Sequence, residues 1–224
     1  HVFRFNRAFA ALTASEFIQR ILVDTLHARY VLVGDDFRYG AQRAGDFALL
    51  TEGGRSAGFD AEALSTVALD GERASSTAVR AALAAGDLPH AARLLGRPYS
   101  ICGRVMHGDK LGRELGYPTA NVQIQHNRPP LSGIFAVTVS NINGRDLPGV
   151  ASLGVRPTMK ATGAAPVLEV HLFDFDEQLY GRRVRVNFLH KLRDEAKFPD
   201  LPSLVAQIGR DVDEAKQFLM QTHG

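Results

Sequence analysis

From Tyr99 to Phe188 the chain alternates apolar and polar residues in short runs, broken every ten residues or so by turn-forming residues. Period-two alternation puts successive side chains on opposite faces of an extended strand, so this half reads as antiparallel β-structure with one buried face. The expected strands are Tyr99–Met106, Thr119–Ile124, Ile134–Ile142, Gly149–Leu153, Val167–Phe173 and Arg183–Phe188. Six short strands of this kind predict an all-β six-stranded antiparallel barrel, since closure removes the exposed edges of an open sheet. A C-terminal helix follows, with Asp200 as its cap and Pro202 in its first turn. Its apolar stripe is Leu204, Val205, Ile208, Val212, Ala215, Phe218 and Leu219.

The first 96 residues have a different texture. Thr13 and Glu16 have capping-box spacing ahead of a helical repeat through Phe17, Ile18, Ile21, Leu22 and Leu26. Tyr30-Val31-Leu32-Val33, ended by Gly34, reads as a strand buried on both faces of a parallel sheet. A short helix is expected near Phe47–Leu50 and a strand around Ser65–Leu69. Two further helices are expected, one capped by Ser75-Ser76-Thr77 and stopped at Gly86, the other opened by Asp87-Leu88-Pro89 and stopped at Gly96. Alternating helix and strand predict an α/β domain over 1–96, ahead of the barrel domain at 97–224.

Charge narrows the partners. With 26 basic and 24 acidic residues in 224, the net charge is only +2, which argues against nucleic acid or an anionic membrane as a partner. No run approaches the roughly 20 apolar residues of a membrane span, and no apolar signal-peptide centre opens the chain, so a cytoplasmic location is expected. The one cysteine, Cys102, rules out an internal disulfide framework and a thiolate zinc site. The opening His1-Val2-Phe3-Arg4-Phe5 reads like the interior of a domain, so a fragment of a longer protein is expected. No obligate protein partner is evident.

Chemistry concentrates in Gly108-Asp109-Lys110-Leu111-Gly112-Arg113-Glu114-Leu115-Gly116-Tyr117-Pro118-Thr119-Ala120-Asn121. Glycines four apart, with a lysine and an arginine among them, let backbone N–H groups approach a phosphate chain, although a plain flexible hairpin explains the glycines as well. Thr119 and Asn121 share one strand face, where two neutral oxygens could hold Mg²⁺ beside ATP phosphates; a solvated polar pair is the alternative. In Val167–Phe173, alternation sends Leu168, Val170 and Leu172 one way and Glu169, His171 and Phe173 the other. Glu169 could serve as a general base or simply face water, and His171 reads as a packing or surface residue.

Taken in order, Gly108 to Asn121, Gly154-Val155-Arg156-Pro157-Thr158, Leu168-Glu169-Val170-His171, Leu179-Tyr180-Gly181 and Leu192-Arg193 through Lys197-Phe198 resemble riboflavin kinase. The resemblance implies that Glu169 is the catalytic base. It implies that Thr119 and Asn121 bind magnesium and ATP, and that Gly108, Lys110, Gly112, Gly116 and Pro118 belong to the ATP-binding flap. Arg193 and Phe198 match the segment that closes on the flavin. Upstream, Gly34-Asp35-Asp36-Phe37 and Ser75-Ser76-Thr77-Ala78-Val79-Arg80 resemble the FMN adenylyltransferase module of bacterial bifunctional FAD synthetases. That resemblance implies an α/β partial nucleotidyltransferase (Rossmann-like) domain over 1–96, in which Gly34, Asp36, Phe37, Ser75, Ser76, Thr77 and Arg80 would form the nucleotide site. Alanine stands at position 78, where that family often carries arginine.

The implied activity is ATP-dependent phosphorylation of riboflavin to FMN, releasing ADP, with Mg²⁺ as the cofactor. The parent protein would also convert FMN to FAD. The family's opening strand and phosphate-gripping turn lie upstream of anything present, so this chain is expected to be impaired in the second step. The rivals are a non-catalytic flavin- or nucleotide-binding module and a nucleic-acid-binding barrel.

Overall fold

The structure is a computed structural model that describes residues 1–108, 111–124, 129–142, 144–155 and 166–222. It divides into two compact units, His1–Arg73 and Ala74–Gly224.

In the first unit, Asn6 caps α1 (Arg7–Ala10), and Thr13 with Glu16 forms the expected capping box of α2 (Ala14–Phe17). The chain continues as a π-helical stretch, Ile18–Thr25, which buries Ile18 and Leu22. Strand β1 (Tyr30–Gly34) pairs in parallel with β2 (Asp60–Leu64). Between them α3 (Phe47–Ala57) runs from an Asp46 cap to Gly58, whose φ of 81° is the left-handed stop that favours glycine. The core is Ala14, Ile18, Leu22, Tyr39, Leu50 and Phe59.

Two expectations change here. β1 is not buried on both faces: Tyr30 and Leu32 are 54% and 51% exposed, because among the described residues the sheet has two strands and only Val31 and Val33 turn to the core. The strand expected around Ser65–Leu69 forms earlier, at Asp60–Leu64. Phe59 buries itself directly after the Gly58 stop and starts the strand there, outweighing the β-propensity of Thr66 and Val67. Only Ala68–Leu69 (β3) of that stretch is extended, paired with Glu72–Arg73 (β4).

The second unit begins with α4 (Ser76–Ala85), capped by Ser75, and α5 (Leu88–Leu95), capped by Asp87; both stop at glycines in the left-handed region, Gly86 and Gly96. Their apolar residues Leu83, Leu88 and Ala91 belong to the barrel core, so by packing the segment 74–96 goes with the barrel and the compact-unit boundary lies upstream of Gly96.

The barrel strands are β5 (Tyr99–Met106), β6 (Ala120–Val122), β7 (Gly133–Ile142), β8 (Arg145–Val155), β9 (Pro166–Leu172) and β10 (Arg183–Arg193), closed in the order β10-β5-β6-β9-β8-β7. All six expected strands are present. β6 is shorter than expected, while β8 and β10 are longer, β10 continuing past two register shifts to Arg193. Phe135, Leu153, Leu168, Val170, Val184, Val186 and Phe188 fill the interior. A short helix, α6 (Leu111–Glu114), precedes β6. The C-terminal helix α7 (Leu201–Thr222) covers part of the outer barrel wall, packing Val212, Ala215 and Leu219 against Ala136, Val150 and Phe173. One face of β7, β8 and β9 is therefore buried inside the barrel, and part of the other is roofed by a helix.

Candidate active site

Because Leu168 and Val170 point into the barrel, Glu169 points out of it, as alternation requires. Register does the rest. Asn121 on β6 stands directly opposite Glu169, and on the other side Ser152 of β8 does the same. The row continues through Ile134 to Arg193 on β10. Directly opposed residues share a face, so three polar side chains from adjacent strands, Asn121, Glu169 and Ser152, lie side by side on the outer wall.

This row floors a cavity of about 920 Å³. Gly112, Tyr117, Thr119 and His171 line it together with Arg193, Glu195, Phe198 and the start of α7. Thr119 also lines a second cavity, of about 260 Å³, with Arg113, Pro118, Asp176, Glu177 and Tyr180, and it is the one residue common to both. Small residues permit this crowding: a Cβ on Gly108 would overlap the Asn121 amide, and one on Gly112 would press on the Tyr117 carbonyl and the Thr119 hydroxyl.

At the α7 end, Arg193 donates from Nε and Nη2 to the two carboxylate oxygens of Asp211, at 2.8 and 2.7 Å, and from Nη1 to the Asp194 carbonyl at 2.9 Å. Asp211, only 3% exposed, also accepts from Gln207. The Phe198 ring lies 5.7 Å from the guanidinium carbon. All three guanidinium nitrogens are thus engaged by the protein, and the pair ties the segment after β10 to α7. Burial pushes the Glu195 carboxyl up, with Arg193 pulling partly back.

The expected kinase residues divide plainly. Glu169, Thr119, Asn121, Gly112, Arg193 and Phe198 line the large cavity; Pro118 lines the smaller one; Gly108 abuts Asn121; Gly116 turns the chain with φ 86° and lines neither. Lys110 and the Arg156–Thr158 motif lie outside the described residues. Of the other set, Ser75, Ser76 and Arg80 line a separate cavity of about 510 Å³ with Tyr99, Ile101 and Leu83, all within the second unit, whereas Thr77 is exposed and does not line it. Gly34, Asp36 and Phe37 belong to the first unit, where Asp36 pairs with Arg73 at 2.9 Å and Phe37 stacks on Tyr39.

Ser152, Tyr117, Glu195 and Asp211 were not singled out from sequence. Asp211 alone carried a signal: a carboxylate three residues after Ile208 and one before Val212 interrupts the apolar stripe of α7.

The family model for riboflavin kinase matches residues 95–219, which places the second half among the flavokinases. The model for FAD synthetase matches residues 1–78. The bifunctional riboflavin kinase/FMN adenylyltransferase of Pseudomonas fluorescens is 52% identical over 95% of this chain and 68% of its own length; that of Haemophilus influenzae is 46% identical over 97% and 70%. The chain belongs to this family of bifunctional riboflavin kinase/FMN adenylyltransferases. A crystal structure of a macrolide-efflux protein from Streptococcus pneumoniae is also similar, with a TM-score of 0.73 and 31% identity, covering 92% of this chain and 66% of that one. Among the described residues no helix is long and apolar enough to cross a membrane.

Proposed function

We propose that the outer-wall cavity is where riboflavin is phosphorylated by ATP to FMN. The observation that carries this is the shared face of Glu169 and Asn121, with Thr119 at the same cavity and common to the neighbouring one. The nucleotide occupies the smaller cavity with its phosphates directed to Thr119, and the ribityl tail enters the larger one. Glu169 accepts the proton of the ribityl hydroxyl as that oxygen attacks the γ-phosphorus; the bond to the β-phosphate oxygen breaks and ADP leaves. Placement and charge neutralisation carry most of such a reaction, which is why rigid barrel strands suit it.

Among the described residues no cluster of three or more His, Cys, Asp or Glu could hold a metal alone. The neutral oxygens of Thr119 and Asn121 instead fit a Mg²⁺ ion that arrives with the nucleotide and keeps phosphate and water in its shell. Bound there, Mg²⁺ would neutralise phosphate charge during transfer.

Phe198 closes on the flavin, and Gly108, Lys110, Gly112, Gly116 and Pro118 serve the nucleotide flap. Functionally the chain divides at about Gly96 into an adenylyltransferase part and a kinase part; the nucleotide residues of the former are Gly34, Asp36 and Phe37 in the first compact unit and Ser75, Ser76, Thr77 and Arg80 in the second. Riboflavin, FMN, ATP, ADP and FAD are the small-molecule partners, in the cytoplasm. Incubating the purified chain with riboflavin, ATP and Mg²⁺ tests the reading. FMN formed in step with ADP supports it, and ADP release without FMN refutes it. Supplying FMN in place of riboflavin reads the adenylyltransferase step separately.

A further inference from the structure

The ladder between β6 and β9 ends at the pair Ala120–Val170, so Thr119 stands one residue past the last backbone pairing. Pro118 comes before it and has no N–H to donate, which leaves the strand end open to fraying at the residue the proposed site needs most. A side chain takes over where the ladder stops. His171 Nδ1 lies 2.9 Å from the Pro118 carbonyl oxygen. A carbonyl only accepts, so Nδ1 carries the proton and donates. The ring packs edge-on to Tyr117, with centroids 5.6 Å apart, and to Phe173 at 5.9 Å. His171 and Thr119 line the same cavity.

We propose that His171 is a positioning residue for phosphoryl transfer: its Nδ1–H extends the β6–β9 pairing by one step and so fixes the Thr119 oxygens toward the nucleotide phosphates. This rests on the kinase reading of the cavity. A group that orients a ligand-bearing residue acts on binding of that ligand.

Asparagine can replace the Nδ1 donor, because its amide nitrogen sits at the same distance from Cβ; glutamine carries its amide one atom further out and cannot. The test measures kcat and both KM values for His171→Ala, His171→Asn and His171→Gln in the full chain. Expected is a KM for MgATP raised about tenfold in the alanine and glutamine variants, the worth of one net hydrogen bond, with the asparagine variant near wild type. The deciding contrast is asparagine against glutamine in the KM for MgATP, since His171 also lines the cavity that the ribityl tail enters. Asparagine as impaired as alanine or glutamine would reduce His171 to packing and overturn the proposal, and so would an alanine variant with wild-type kinetics. Should the alanine variant fail to fold, asparagine against glutamine decides in the same way. An inactive wild-type chain would refute the kinase reading itself, which keeps the two failures distinct.

Discussion

Asn121 and Glu169 occupy directly opposed positions on β6 and β9, and their side chains leave the same face of the barrel wall. A neutral amide oxygen beside a carboxylate can share a metal-bearing phosphate without placing a second anion there. Asn121→Ala should therefore raise the Mg²⁺ concentration needed for half-maximal turnover by about tenfold or more, the scale on which metal affinity falls when a supporting group is lost. A Mg²⁺ titration of the variant checks this; an unshifted curve would remove Asn121 from the metal's surroundings.

The Arg193–Asp211 pair predicts a stability effect. Asp211 is buried and Arg193 largely so, and removing one partner leaves the other desolvated. Asp211→Ala should cost about 3 kcal/mol in urea unfolding, while Arg193→Leu with Asp211→Leu should cost less than the single change. A double variant weaker than the single one would contradict this.

Gly103 on β5 marks a close approach of backbones, since a Cβ there would overlap the Gln123 carbonyl. The Gln123 backbone is tied down by its N–H bond to the Arg104 carbonyl at 2.9 Å, so Gly103→Ala should destabilise the barrel by about 1–3 kcal/mol. Thermal unfolding reads this directly, and an unchanged midpoint would mean that β6 shifts freely.

Asp200 caps α7, accepting hydrogen bonds from the Ser203 hydroxyl and backbone N–H, and both hold its carboxyl below the usual 3.8. With the folded value depressed, the cap's contribution is present above pH 3.8 and is lost as pH falls through the folded value. Asp200→Asn keeps a cap without a charge change, so its unfolding midpoint should fall less than wild type's between pH 5 and pH 2. Parallel profiles would show that the Asp200 charge contributes nothing.

Much of this architecture was legible in the residues. Alternation through Leu168, Val170 and Leu172 placed Glu169 on the outer wall, and turn spacing found six strands, because both signals depend on local periodicity alone. Cross-strand register is not local. Nothing in the runs themselves says that Ser152 would face Glu169 from the other side, or that Arg193 would meet a carboxylate on α7. The hydrogen bond of His171 is equally hidden from the sequence, because its partner, the Pro118 carbonyl, is a backbone group 53 residues away. The first unit misled where propensity was trusted over packing: Thr66 and Val67 look more like strand than Asp60-Ala61-Glu62, yet parallel pairing with β1 selects the latter.

Glu169→Gln gives the most direct measurement of the central claim, since it keeps the shape and removes the proton acceptor. Compared with wild type in riboflavin phosphorylation, kcat should fall by about 10²–10⁴-fold, with the KM for MgATP nearly unchanged. Wild-type turnover, or a loss confined to that KM, would contradict the assignment of Glu169 as the base.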